Sequence, residues 1–271
     1  MTYLKSIVLG QYLPGQSILH RADPRVKLTL TTIVTVLLFC INSYQEFTAF
    51  IVFTALVLWV SRIPPDYAVR AVKPMAFIII FSALVNIFTI PGRPVSGLFI
   101  LRNITYEGID ISLKLSIRLS LLCICFSIIN FTTTPVAMTD GIEKLFDPLK
   151  KLRFPVHEIA MMMSIALRFI PTIMDETERI IKAQASRGAD FDSGNIIKRA
   201  KSFIPVLVPL FVSAFRRADE LAVAMEARCY RGSEGRTRMK QLRLTNADLY
   251  ASITTVFFVV LIILIGIIIK K

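Results

Sequence analysis

Two short stretches in the C-terminal half carry the residue types best suited to strong, directional bonding: Lys182-Ala-Gln-Ala-Ser-Arg187-Gly188 and Met225-Glu-Ala-Arg228-Cys-Tyr-Arg-Gly232. Each places an arginine where an amphipathic helix ought to stop. Gly188 can supply a left-handed cap, so Arg187, one residue earlier, projects from a carbonyl-rich helix end whose dipole favours its charge. A planar guanidinium makes fork-like bonds to a carboxylate or to backbone oxygens, and small neighbours let such a tip enter a groove. Basic residues are also enriched in last turns for stability alone. Two instances on successive helices, in the similar contexts Gln184-Ala-Ser-Arg187 and Glu226-Ala-Arg228, favour docking over that plainer account.

Other chemistry is poorly supported. No Gly-x-x-x-x-Gly-Lys-Ser/Thr run occurs, and the loose candidate Gly232-Ser-Glu-Gly235-Arg236 has the wrong spacing and lacks the lysine, so the chain is expected to bind no ATP itself. Nothing resembles a Ser/His/Asp set. His157 beside Glu158 reads as a helix-start pair, and with His20 the only other histidine a metal cluster is not expected.

The elements that must position the arginines follow from composition. The chain has 271 residues, 54% hydrophobic yet 19% charged, so apolar and charged segments must be segregated, as in an integral membrane protein with a sizeable wet part. The net charge of +13 would suggest nucleic acid on a soluble protein, but the basic residues flank or follow apolar runs, which fits positive-inside topology. Cys40, Cys123 and Cys125 lie in apolar runs and Cys229 in the basic segment, so no disulfide framework is expected. The polar opening, with no apolar core before Leu28, predicts no cleaved signal peptide.

Residues 1–27, with Gly10, Pro14, Gly15, Pro24 and the run His20-Arg21-Ala-Asp23-Pro24-Arg25-Val-Lys27, read as a structured cytoplasmic turn region at a membrane surface. Residues 28–131 hold four spans: Leu28–Ile41, Phe47–Val60, Met75–Ile90 and Ile109–Phe131. Tyr44 and Trp59 suit interfacial belts, while Phe99, Asn103 and Tyr106 mark the main external loop. Asp110, Lys114 and Arg118 stand four residues apart on one face, with Ser112, Ser116 and Ser120 beside them, as charges paired near a bundle rim or as a substrate path. More than half of the 32 Lys and Arg residues fall between Lys144 and Arg243, so residues 132–245 read as one cytoplasmic helical domain. Within it, one helix opens at Pro155 and carries Ile159, Met162, Met163, Ala166, Phe169 and Ile170. Pro171 bends the chain, and a second segment runs to Gly188. A third begins near Ile196, passes the apolar run Phe203–Phe215 with Pro205 and Pro209 inside it, and ends near Gly232. Residues 246–271 hold a clean span, Tyr250–Ile269. Five spans would leave Lys270 and Lys271 outside, against the charge rule. The expected fold is thus an all-α integral membrane protein of about five transmembrane helices plus a cytoplasmic helical coupling domain with long amphipathic helices.

The N-terminal run Gly10-Gln-Tyr-Leu-Pro-Gly15-Gln-Ser-Ile-Leu-His20-Arg-Ala-Asp-Pro-Arg25-Val-Lys-Leu28 closely resembles the opening segment of the transmembrane T components of energy-coupling factor transporters. That family carries two X-Arg-X motifs at the ends of coupling helices, and Ser186-Arg187-Gly188 and Ala227-Arg228-Cys229 stand in those places. The resemblance implies a non-catalytic scaffold of an ATP-driven importer in a bacterial cell membrane. Its partners would be two ATP-binding-cassette ATPase subunits, a heterodimer that receives the arginines and holds ATP and Mg. A separate substrate-binding membrane S component, interchangeable in some members, would rest on the coupling helices, with Met161, Met162, Met163, Phe169 and Phe211 as its contacts. ATP closure would draw the tips together and change the tilt of the S component, delivering a vitamin or metal ion. Two residues depart from the pattern: Ser186 stands where alanine is common, and Cys229 where glycine is common. The second leaves open how that helix ends, with Gly232 as the alternative cap.

The competing class is a self-sufficient secondary transporter or channel lined by Asp110, Lys114 and Arg118. A nucleic-acid anchor is disfavoured, because acidic residues interleave the basic segment and no stacking aromatics accompany the arginines.

Overall fold

The computed structural model describes residues 12–93, 105–152, 154–191, 195–230, 232 and 244–269. Phe99, Asn103, Gly235, Lys270, Lys271 and the first two residues of the Gly10–Leu28 run lie outside them. Every helix and strand assignment among the described residues that extends beyond a single position is helical: α1 (Ile18–Arg21), α2 (Pro24–Cys40), α3 (Tyr44–Ser61), α4 (Pro65–Val72), α5 (Ala76–Thr89), α6 (Tyr106–Thr132), α7 (Pro135–Leu145), α8 (Val156–Ser186), α9 (Ile196–Ser202), α10 (Ile204–Ala227) and α11 (Asn246–Ile269). Short 3-10 turns occupy Lys73–Met75 and Asp147–Leu152.

Five helical stretches are long and apolar enough to cross a membrane: Tyr44–Ser61, Pro65–Thr89, Tyr106–Thr132, Val156–Ser186 and Asn246–Ile269. The chain is an all-α, multi-pass membrane protein. This set is not the one drawn from the apolar runs alone. α2 has 17 residues, about 25 Å of helix against a hydrocarbon core of about 30 Å. Val156–Ser186 meets the length and composition of a span over its apolar first part, with the lowest mean hydropathy of the five, 1.3, whereas Asp175, Glu176, Glu178, Arg179 and Lys182 crowd its second half.

The described residues divide into two compact units, one within 12–141 together with 244–269, and one within 142–232. In the first, α2 and α3 each pack on α6 and α11, while α5 packs on α6. Helix starts are written into the sequence. Asp23 caps α2 by accepting the Arg25 N–H at 2.9 Å, with Pro24 at the first helical position. Glu46 Oε2 accepts the Asn42 and Ser43 N–H groups at 2.9 and 2.8 Å to start α3. Thr105 accepts the Gly108 N–H to start α6. Asp248 Oδ2 accepts both the N–H and the hydroxyl of Thr245, at 2.6 and 2.9 Å, to start α11.

The core of this unit is one helical stripe meeting aromatic rings. Val34, Leu37, Leu38 and Ile41 recur at helical spacing on α2 and bury against Phe47, Phe50 and Phe53 of α3, Leu121 of α6 and Ile262 of α11. Close helix approach is set by Gly266, where a Cβ would fall on Glu46 Oε1.

The basic N-terminal run is only partly a surface feature. Lys27 is 7% exposed, and its ammonium donates to Thr132 O at 3.0 Å and Thr133 Oγ1 at 3.2 Å, capping the carbonyl end of α6. The Asp23 N–H donates to Asp248 Oδ1 at 2.5 Å, joining the start of α2 to the start of α11. His20 Nδ1 lies 2.6 Å from Ser17 Oγ and its Nε2 2.9 Å from Leu13 O, which closes the turn before α2. Through the buried Ser17, Asp23 and Lys27 the run from Leu13 to Lys27 is therefore a staple among α2, α6 and α11, with Pro14, Gly15, Gln16, Ile18 and Arg21 left exposed.

Asp110, Lys114 and Arg118 serve the opposite end of the same unit. Asp110 bonds Lys114 at 2.6 Å and the Tyr44 hydroxyl, while Arg118 donates to Ile41 O and, at 3.3 Å, to Asn42 Oδ1. These side chains fasten the α2–α3 turn to α6, the rim role, and Ser112 adds a bond to Ala83 O of α5 at 3.0 Å.

Candidate functional site

Both arginines sit at helix ends, and the two ends share one geometry. At the end of α8, the Gly188 N–H donates to Ala185 O and the Ala189 N–H to Gln184 O, each at 3.0 Å. At the end of α10, the Cys229 N–H donates to Glu226 O at 2.8 Å and the Tyr230 N–H to Met225 O at 3.0 Å. This paired pattern is the Schellman motif, with the arginine as the last, half-helical residue in each case. Arg187 has φ −87° and ψ 7°; Arg228 has φ −92° and ψ 13°.

The left-handed residue that the motif requires is Gly188 at φ +90° on one tip and Cys229 at φ +56° on the other. The helix therefore caps at Cys229, and the alternative cap at Gly232 is not used to end α10, although Gly232 is also left-handed at φ +84°. A cysteine there carries a backbone cost of roughly 1–2 kcal/mol that glycine avoids. The two carbonyls satisfied by the motif outweigh it.

Ser186, Arg187 and Gly188 are exposed, as are Ala227, Arg228 and Cys229. Among the described residues neither guanidinium has a hydrogen-bond or ion-pair partner. Each tip is thus a solvated cation flanked by small or modest side chains and held by backbone bonds rather than by its own contacts.

α8 and α10 lie antiparallel. Gln184 of α8 meets Pro205 of α10, whereas Glu176 meets Ser213 and Arg217. The arginines therefore face away from each other at opposite ends of the pair, roughly 40 Å apart along it at 1.5 Å per residue. Two details fix this arrangement. Glu176 takes a bond on each oxygen, from Ser213 Oγ at 2.5 Å and from Arg217 at 2.7 Å. Pro209, lacking an N–H, leaves the Pro205 carbonyl without its helical donor, and the Gln184 side-chain amide supplies one at 3.4 Å. Phe191, buried just after the first tip, packs its ring against Phe203 at 5.2 Å and so ties the turn beyond Arg187 to the start of α10.

Several sequence expectations change here. Pro171 does not divide α8, which runs unbroken for 31 residues. The third segment is two helices: Pro205 sits in the first turn of α10, where its missing N–H costs nothing, so the chain breaks at Phe203 rather than kinking within the run. His157 does not pair with Glu158. Its Nδ1 lies 2.9 Å from Glu143 Oε1, and both side chains are largely buried, so this pair ties α7 to the start of α8. Glu176, Ser213 and Arg217 were not singled out by sequence reasoning. Their 37- and 41-residue separations leave no periodic signal.

Of the expected S-component contacts, Met162, Met163 and Phe211 are 59%, 50% and 61% exposed, whereas Met161 and Phe169 are half-buried. Phe211 belongs to a continuous apolar face with Leu207, Val208, Val212 and Phe215. Among the described residues no group of three or more His, Cys, Asp or Glu side chains is arranged to hold a metal ion.

Comparison with known proteins gives the same frame. The CbiQ family, described as "Cobalt transport protein", matches residues 15–239. The chain is 58% identical over 261 residues to a protein of Ruminiclostridium cellulolyticum, covering 96% of this chain and 97% of the relative. It is 50% identical over 252 residues to one from Thermosediminibacter oceani (93% and 95%) and 43% identical over 245 residues to one from Bacillus subtilis (90% and 92%). All three are named "Energy-coupling factor transporter transmembrane protein EcfT". With the match running through both arginine tips and nearly end to end, the chain belongs to the CbiQ/EcfT family, the transmembrane T components of energy-coupling factor transporters.

Proposed function

We propose that this protein is the non-catalytic scaffold of an importer, seated in the cell membrane with its N-terminus and the α8–α10 region cytoplasmic. Two ATPase subunits, a heterodimer carrying ATP and Mg, receive Arg187 and Arg228. A substrate-binding S component rests on the apolar face of the coupling helices that includes Met162, Met163 and Phe211, and its movement delivers a vitamin or metal ion. Closure of the ATPases on ATP displaces the two tips, and the α8–α10 pair transmits that displacement. The observation that carries this reading is the repetition of one cap geometry, with an exposed and unpartnered arginine, at the ends of two paired helices.

The test is assembly and coupled hydrolysis. Arg187→Ala and Arg228→Ala each remove charge-assisted bonds worth about 2–5 kcal/mol once buried against a partner. Co-purification of the ATPase subunits should weaken in each variant and be lost in the double variant, with uptake lost alongside. Normal ATPase binding and normal uptake in the double variant would refute the assignment. The protein alone should show no ATP hydrolysis.

A further inference from the structure

The bundle of α1 to α6 and α11 contains a cavity that the coupling function does not use. It has a volume of about 340 Å³ and lies between α2, α3, α6 and α11, with α1 across one end. Its deep end is closed by the core at Val34 and Phe53, and its sides by Leu30, Val57 and Ile128. The threonines that line it do not make it polar. Thr54, Thr132 and Thr255 donate their hydroxyls to Phe50 O, Ile128 O and Ala251 O, the carbonyls one turn earlier on their own helices, and so leave their methyl groups for the cavity. Polar groups gather instead at the α1 end, where Lys27 and Tyr250 line the wall. Tyr250 and Thr254, both exposed, stand where the cavity reaches the surface of the bundle.

This is the polarity of an amphiphile. The α1 end coincides with the first turns of α2 and α11, where the buried Asp23, Lys27 and Asp248 network marks the edge of the apolar zone. From Lys27 to Val34 is about 10 Å along the helix, a depth that lies wholly within hydrocarbon once the helices span a bilayer. An unfilled apolar space there would forfeit dispersion contacts on every wall, and the solvent outside the opening is acyl chain. A cation also adjoins the lining along the chain. Arg21, next to the lining residue Ala22, is exposed and takes no side-chain partner among the described residues, whereas the Lys27 ammonium is occupied by Thr132 and Thr133.

We propose that this cavity is a phospholipid site: one acyl chain fills the space between α2, α3, α6 and α11, and the phosphate of an anionic headgroup rests on Arg21. A guanidinium is the side chain best shaped to hold a phosphate at the membrane surface. The bound lipid is a structural part of the bundle, holding α2 and α3 apart at the end where α1 lies.

The experiment uses the full chain in nanodiscs containing phosphatidylglycerol with a photoactivatable group on its acyl chain, and locates the labelled residues by mass spectrometry. Labelling is expected on Leu30, Val57 and their neighbours, with competition by unlabelled phosphatidylglycerol stronger than by phosphatidylcholine. Val57→Trp, which fills the space, should remove these labels while leaving those on the outward face of α5 at Phe77 and Phe81. Arg21→Ala should keep the acyl label but abolish the preference for the anionic lipid. Labelling confined to outward faces overturns the proposal, as does labelling unchanged by Val57→Trp in a folded variant. Equal competition by the two lipids on the unmodified chain overturns the headgroup assignment, and needs no variant. Occupation of the cavity by a protein segment would show as lost lipid labelling on the unmodified chain, and would likewise overturn it.

Discussion

The two tips allow a reciprocal exchange in which the same backbone position is made better at one helix end and worse at the other. Cys229 occupies the left-handed position at φ +56°, and Gly188 the equivalent position at φ +90°. A side chain in this region costs roughly 1–2 kcal/mol, and glycine's extra freedom in the unfolded chain returns about 0.5–1 kcal/mol of that. The net advantage of glycine is therefore about 0.5–1 kcal/mol, or two- to fivefold in a local opening equilibrium. A Cβ added at Gly188 would meet nothing within 4 Å, so Gly188→Cys measures backbone strain with no packing term mixed in. Amide exchange on the purified protein reads both directions. Cys229→Gly should slow exchange at residues 229 and 230, whose N–H groups bond Glu226 O and Met225 O, and Gly188→Cys should speed it at residues 188 and 189. If exchange at the second tip is unchanged or faster in Cys229→Gly, the two ends do not share a strain-limited cap, and the account given of Cys229 is wrong.

Three other expectations concern the scaffold. Glu176→Ala leaves Ser213 and Arg217 without their acceptor and should lower stability by about 1–2 kcal/mol, discounted for partial exposure; a thermal double-mutant cycle with Arg217→Ala should show a coupling of about 1 kcal/mol. Lys27→Met removes the donor that caps α6 and the cation among buried Asp23 and Asp248, and should destabilise by about 3–5 kcal/mol in denaturant titration; a change under 1 kcal/mol would show that the staple is not held by charge. Gly266→Ala drives Glu46 from its place and should weaken the cap of α3 by about 1 kcal/mol, measured as faster amide exchange at residues 42 and 43.

What could be read from the chain alone followed local rules. Gly188 after a last-turn arginine announces a left-handed cap, and the structure has it. Cys229 gives no such announcement: the cap there is imposed by the two backbone bonds, and the side chain tolerates it. The prolines misled in opposite ways. Pro171 looked like a break but lies in an unbroken helix, whereas Pro205 looked internal but marks a helix start. Lys27 read as a topological charge because it precedes an apolar run. Its actual place, beneath the end of α6 about a hundred residues away in the chain, belongs to packing that no neighbouring residue signals. His157 was matched to its neighbour Glu158 for the same reason, although its partner Glu143 lies on the preceding helix.

The polar clamp at Glu176 sits off-centre on the antiparallel pair. From Glu176 to the end of α8 is roughly 15 Å, and from Ser213 to the end of α10 roughly 21 Å. If the clamp acts as a pivot, the two helices are lever arms of unequal length, and an identical inward displacement of both arginines must rotate α8 through the larger angle. A symmetric pull is thereby converted into an asymmetric one by the position of a single carboxylate.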